Sequence, residues 1–179
     1  NPDLISARAE EFANEIETAI QGRYRVFCLG SSSDSELMWS HYAAKHTGVC
    51  LEFTTRNELF CGALKVRYQS SYPLFDLTTD DEDGNAGALL TKSAAWSYEG
   101  EYRLVAQEEC AVISPGTLVT KSNLIEMPKG ALTAVIVGCL ATDETVASVR
   151  DLVEQSGQPI AIRRAVRARA QYRLAIENV

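Results

Sequence analysis

Two short stretches hold most of the residues able to do chemistry. The first runs from Met38 to Phe53 and contains both histidines of the chain, one of its two tryptophans and one of its two methionines. Its pattern predicts a helix from Ser35 to His46, a stop at Thr47-Gly48 and a strand over Val49–Phe53. On such a helix Trp39, Tyr42, Ala43 and His46 share one face, at i, i+3, i+4 and i+7. His41 points about 100° away from Tyr42, with Leu37 and Lys45. His41 and His46 stand about 140° apart, unlike the i, i+4 pair that binds a metal from a helix, so no metal site is expected. An imidazole titrates near neutral pH, which makes His41 a candidate general acid/base or ligand donor. The alternative is a half-buried helix with an aromatic core face and hydrogen-bonded histidines.

The second stretch is Lys92 to Arg103, with Trp96, Tyr98, Glu99 and Glu101 between. If Glu99 and Glu101 are both extended they project to one face. Two carboxylates that close would raise one pKa, which suits acid/base work. Alternatively Arg103, two residues further, neutralises them in a structural ladder. Lys92 and Trp96 are expected at i and i+4 of a helix over 86–96. The catalytic candidates are His41, Glu99, Glu101 and Arg103. The ligand-binding candidates are Trp39, Tyr42, Lys92, Trp96 and Tyr98.

The elements that must position these residues follow from periodicity and caps. An opening helix is predicted over 2–21, capped by Asn1 and ended by Gly22. Strands are predicted over 23–29, 63–69, 101–107 and 111–113. Gly30-Ser31-Ser32-Ser33-Asp34 is a polar turn that either caps the next helix or cradles an anion. Ala131–Cys139 is the most hydrophobic run and reads as a central strand. A helix capped at Thr142 or Asp143 runs to Ser156 and stops at Gly157. Strands over 159–167 and 171–177 close the chain, with a bend near Ala168-Arg169-Ala170. Helices and strands mix without regular βαβ alternation. The expected fold class is α+β, a single domain over 1–179 with about four helices and a mixed, largely antiparallel sheet.

Composition limits the functions available. A chain of 179 residues buries roughly 70% of its unfolded surface, enough for a core without staples. The net charge of −7 argues against a broad nucleic-acid surface, whose affinity comes from clustered Lys and Arg. No apolar run approaches the roughly 20 residues that span a bilayer, so no membrane partner is expected. Locally, Asp76 and Asp80–Asp83 make an acidic loop. Arg163, Arg164, Arg167, Arg169 and Arg173 are either solvated strand arginines or a local anion or partner surface. Five cysteines without a Cys-x-x-Cys read as reduced, buried thiols of a cytoplasmic protein; a nucleophilic cysteine is the alternative, with nothing to select one. Gly-x-Gly-x-x-Gly, Walker and Gly-x-Ser-x-Gly motifs are absent from the sequence.

Taken together, Phe27-Cys28-Leu29, Met38-Trp39-Ser40-His41-Tyr42-Ala43, His46-x-Gly48-Val49-Cys50-Leu51-Glu52-Phe53, Val66-x-Tyr68 and Lys92-x-x-x-Trp96-x-Tyr98-Glu99-x-Glu101-x-Arg103 resemble the bacterial domain-of-unknown-function 2971 family. The strand at Val135–Gly138 and the helix and two strands after it extend the resemblance over most of 24–178. The family usually has an Asn-Asp-Pro segment upstream, and Asn1-Pro2-Asp3 is not that motif, so a shortened version or a fragment is expected. The resemblance implies a bacterial or phage cytoplasmic protein and brings no settled activity; some relatives look like parts of abortive-infection or mobile-element cargo. Two functions fit these residues. One is a ligand-binding or regulatory domain, with the loop 76–83 as a contact or flap. The other is an enzyme with an ADP-ribosyltransferase-like Glu-x-Glu site acting on NAD, an analogy in which Arg23 or Arg25 would hold the dinucleotide. Cofactor, partner and homo-oligomerisation are otherwise left open.

Overall fold

Strand-forming runs and capped helices assemble into an α+β fold, as the lack of βαβ alternation predicts. The structure, a computed structural model, describes residues 8, 11, 14, 18, 20–72, 87–109 and 118–179. Most of the predicted helix 2–21, the acidic loop 76–83, the strand 111–113 and Cys110 lie outside the described residues. The chain divides into two compact units, Asn1–Phe27 with Leu104–Glu126, and Cys28–Arg103 with Met127–Val179. Both chemistry-bearing stretches fall in the second.

In chain order the elements are β1 (Tyr24–Leu29), α1 (Glu36–Tyr42), β2 (Val49–Phe53), a 3-10 turn (Phe60–Gly62), β3 (Leu64–Lys65), β4 (Arg67–Gln69), β5 (Thr91–Ser93), a 3-10 helix (Ala94–Glu99), β6 (Tyr102–Glu108), β7 (Leu118–Thr120), β8 (Leu132–Val137), α2 (Asp143–Ser156), β9 (Ala161–Arg167) and β10 (Leu174–Asn178). The larger unit is organised on a four-stranded sheet in the order β10-β9-β8-β2. β10–β9 and β8–β2 are antiparallel and β8–β9 is parallel. β8 is central, as its β-branched run predicts, and Ala134, Val135, Ile136 and Val137 are all buried. A strand buried on both sides must be covered on both sides. Ile136 packs with Trp39 and Ala43 of the α1 region and with Ala165 and Leu174. Val137 packs with Ala141 and with Val146 of α2.

α2 follows its sequence signals. The Thr142 side chain accepts from the Thr145 backbone N–H, and Gly157 ends the helix in the left-handed region at φ 60°. β9 and β10 form the expected antiparallel pair, with Ala170 at φ 55° between them. Arg163 pairs with Glu52 at 2.8 Å and Arg164 donates to the Ala141 carbonyl at 3.0 Å, so two of the five C-terminal arginines have partners inside the unit.

Three predicted elements differ. α1 is capped by Ser35 and ends at Tyr42, not His46. The chain then turns through Ala44, Lys45 and His46 at φ 47°, 53° and 70°. The Trp39 carbonyl accepts from both Ala43 and His46 backbone N–H, each at 3.3 Å, which folds the end of the helix back. Each left-handed L-residue costs roughly 1–2 kcal/mol. Replacing the exposed Lys45 by glycine should therefore raise stability by about 1 kcal/mol in a urea melt. The predicted strand 63–69 is broken at the buried Val66, whose N–H donates to Glu101 O at 3.0 Å. Of the predicted helix 86–96, residues 87–89 are helical, residues 91–93 form β5, which pairs parallel with β4, and the part from 94 is 3-10.

In the smaller unit, β7 runs parallel to β6 from Ala106↔Leu118. Glu108 accepts from Thr120 Oγ1 at 2.5 Å and from the Asn123 backbone N–H at 2.9 Å, and it faces Arg25 at 3.8 Å. These bonds hold its carboxyl below the usual range. Arg25, one of the two dinucleotide candidates, is thus committed within this unit.

Candidate functional site

The second stretch makes a buried charge cluster. Ser93 caps the 3-10 helix that carries Trp96, Tyr98 and Glu99, and Gly100 ends it in the left-handed region at φ 53°. A Cβ at position 100 would collide with Ser31 Oγ, so both the dihedral and the space call for glycine. This turn brings Glu99 and Glu101 to one cation without the extended backbone expected of them. Lys92 Nζ donates to Glu99 Oε2 and, at 2.9 Å, to Glu101 Oε2. Tyr42 Oη donates to Glu99 Oε1 at 2.6 Å. Arg103 grips Glu101 with Nε at 2.7 Å and Nη2 at 3.3 Å, and it also donates to the Leu89 carbonyl. Two carboxylates meet two cations, and the formal charges cancel.

Both carboxylates are only 4% exposed, which decides their electrostatics. Burial alone would push the Glu101 carboxyl up. Hydrogen bonds from Arg103, Cys28 and Lys92 outweigh it and bring the pKa down to about 2. Like-charge repulsion, the expected source of an acid/base residue, is therefore overridden here, and Glu101 is a permanent carboxylate at neutral pH. Burial opposes the charge of Lys92 and of Arg103, and their carboxylate partners hold both above the ordinary range. The hydrogen bond to Glu99, with burial behind it, pushes Tyr42 up to about 12.

A pKa lowered on folding stabilises above the unfolded value and is lost as pH falls through the folded one. Glu101 should thus add stability at neutral pH that fades between the ordinary value of 4.5 and about 2. The Glu101→Gln variant should show a flatter acid limb in a pH series of thermal melts. A raised pKa works in the other direction. Tyr42 should stay neutral through the ordinary value of 10.0 and ionise at about pH 12, read as a late phenolate step in ultraviolet absorbance.

Above this cluster lies a group of rings. His41 stands 6.2 Å from Tyr42, 6.1 Å from Trp96 and 6.2 Å from Tyr98, and Trp96 stands 5.9 Å from Tyr98. Lys92 Nζ is 5.3 Å from the Trp96 ring centre, a cation–π distance. Tyr42 and Trp96 are 60% and 39% exposed; for large aromatic side chains that is surface left uncovered.

Of the catalytic candidates, Glu99, Glu101 and Arg103 converge, and His41 meets the rings instead of the carboxylates. Tyr42 does not share the buried face expected of it: it is exposed and reaches Glu99. His46 sits beyond the helix, with Nε2 2.9 Å from Ser40 Oγ. Trp39 is 2% exposed and donates to Ser33 O at 2.8 Å. It belongs to the core and offers no surface to a ligand. Lys92 and Trp96 meet as predicted, but from a strand and a 3-10 helix. Three participants were missed as site residues: Cys28 beside Glu101, Ser31 beneath Gly100, and Tyr68, whose hydroxyl accepts from the Glu101 backbone N–H at 2.8 Å. Cys28 and Tyr68 stand in Phe27-Cys28-Leu29 and Val66-x-Tyr68, two of the pieces on which the family resemblance was read, and that is the sequence signal that could have found them.

The cysteines are free at 28, 50, 61 and 139, and Cys28 and Cys61 are exposed, which corrects the expectation of buried thiols. Burial first, then nearby carboxylates, pushes the Cys28 and Cys50 thiols up, the opposite of an activated nucleophile. Among the described residues no group of three His, Cys, Asp or Glu could hold a metal ion, and no helix is long and apolar enough to cross a membrane.

Fold and site together define an α+β protein with a neutralised carboxylate cluster beneath surface aromatic rings. Residues 38–104 match the model of the family described as Protein of unknown function (DUF2971), in agreement with the resemblance read from the sequence. His41, Tyr42, Lys92, Trp96, Tyr98, Glu99, Glu101 and Arg103 all lie inside the matched segment. No curated protein and no solved structure matches the chain.

Proposed function

We propose that the chain is a non-catalytic ligand-binding or regulatory domain whose contact surface is the ring group His41, Tyr42, Trp96 and Tyr98. The observation that carries this reading is the state of the two glutamates. An ADP-ribosyltransferase-like site acting on NAD needs a carboxylate open to a ribose hydroxyl. Glu99 and Glu101 are 4% exposed and their oxygens are engaged by Lys92, Arg103 and Tyr42. Exposed rings fixed by a rigid charge cluster suit binding better than turnover, because the cluster pre-organises the surface and has no free proton to move. A cytoplasmic setting in a bacterial defence or mobile-element system rests on the family resemblance alone.

The two tryptophans make a direct test. Trp39 is buried and hydrogen-bonded, Trp96 exposed. In a broad small-molecule screen by NMR, hits should move the Trp96 indole resonance and leave that of Trp39 in place. A screen whose hits all map elsewhere sinks the ligand surface. NAD⁺ consumption by the wild type that disappears in Glu101→Gln would instead establish the enzyme.

A further inference from the structure

We infer that the ring group takes a purine base, recognised through its ring system and not through a phosphate. This rests on the ligand-binding reading above and adds the chemical class. The rings of the group are tilted or edge-on to one another, at 32° to 64°. The pair Phe53–Phe60 is a true stack at 4.6 Å and 19°. Rings at the site are therefore not stacked on one another as Phe53 and Phe60 are, and a flat guest can supply the stack that no internal ring does.

Polar atoms at the ring edges point the same way. Trp39, Tyr42, Tyr68 and His46 each spend a side-chain polar atom on an internal hydrogen bond. The Trp96 indole N–H, the His41 ring nitrogens and the Tyr98 hydroxyl have none among the described residues, and none of them is a buried unsatisfied atom. Exposed ring faces with free donors and acceptors at their edges match a flat heteroaromatic guest bearing ring nitrogens and an exocyclic group.

Other guests fit less well. A quaternary ammonium would meet Lys92 already over the Trp96 ring. A sugar needs carboxylates or amides turned outward, and both carboxylates here face inward. A phosphate needs an uncommitted cation, and Lys92 and Arg103 are both committed to Glu99 and Glu101. In a chain of net charge −7 the long-range field does not attract anions. The rings are tilted to one another, so a flat guest stacks on one of them and meets its neighbour edge-on; a bicyclic base offers more stacking area to that one ring than a pyrimidine does.

The test is an NMR titration of the full chain with adenosine, adenosine triphosphate, uridine and p-cresol, each followed at the Trp96 indole. Adenosine and the triphosphate should bind with dissociation constants within about threefold of each other, and uridine more weakly. Trp96→Ala and His41→Ala should each weaken adenosine by about tenfold or more, the usual cost of losing a stacked base. In the wild type, adenosine H8 should give nuclear Overhauser contacts to ring protons of Trp96 or His41, which needs no variant to fold. Triphosphate binding tighter than adenosine by about tenfold or more would mean phosphate recognition and overturn the inference. If p-cresol moves Trp96 and adenosine does not, the purine is wrong and the ligand surface stands. If none of the four moves it, the purine inference falls, and the broad screen decides the surface itself.

Discussion

Lys92→Met should destabilise the protein by about 3 kcal/mol, the lower end of what is lost when one partner of a buried ion pair is removed. The ammonium is the shared cation of Glu99 and Glu101, whose side chains are 3% and 5% exposed. Methionine keeps the length of the stem and removes the charge. Glu101 would retain Arg103, and among the described residues Glu99 would retain only the Tyr42 hydroxyl. The Lys92 side chain is itself 23% exposed, so water reaches the gap in part and the loss stays below the maximum. The measurement is a urea melt at neutral pH, in which the midpoint should fall while the slope is kept. Lys92→Met with Glu99→Gln should recover part of the loss, because the stranded charge is gone. A double-mutant cycle showing no coupling between the two positions would mean that Lys92 acts only through its contact with Trp96.

That cluster was half legible in the sequence. Residue types and spacing named Lys92, Glu99, Glu101 and Arg103, and the neutralising role of Arg103 was one of two readings open. The route by which they meet was not legible. Extended geometry puts alternate residues on one face, and it was the wrong geometry. The left-handed turn at Gly100 does the work; its positive φ is a local reason for glycine, and the approach of Ser31, from much earlier in the chain, adds one that is not local. Nothing local encodes that collision. The same holds at α1. Helical periodicity continues through His46, but the turn at Ala44–His46, besides its bonds back to Trp39, is held by backbone bonds from Gly138 and Leu140 just past β8. Caps and stops that act within a few residues were readable: Gly157 to the residue, and the cap of α2 as one of two neighbours, of which Thr142 is the one used. The central place of β8 was readable because burial on both faces demands an unbroken apolar run.

Gly138→Ala is expected to have an effect of similar size and to test the link between that turn and the ring surface. A Cβ at position 138 would sit 2.6 Å from the His46 carbonyl carbon, with the His46 oxygen nearer still and Gly48 O at 3.1 Å. These are backbone atoms, which cannot swing aside as the end of a side chain can. They are also bonded in place. The Gly138 N–H donates to Gly48 O at 2.9 Å, and the Leu140 N–H donates to His46 O at 3.0 Å. The methyl must therefore separate β8 from the turn, breaking one or both bonds, at a cost of about 3 kcal/mol. The turn follows directly from α1, whose last two residues are His41 and Tyr42. A shift there moves both rings and draws the Tyr42 hydroxyl from Glu99. Gly138→Ala should therefore lower the melting temperature and also change the environment of the Trp96 indole, although that ring belongs to another segment. A Tm loss with an unchanged Trp96 resonance would show that the turn supports the core alone. A Tm unchanged from wild type would show that the close approach of Gly138 to His46 is not present in solution.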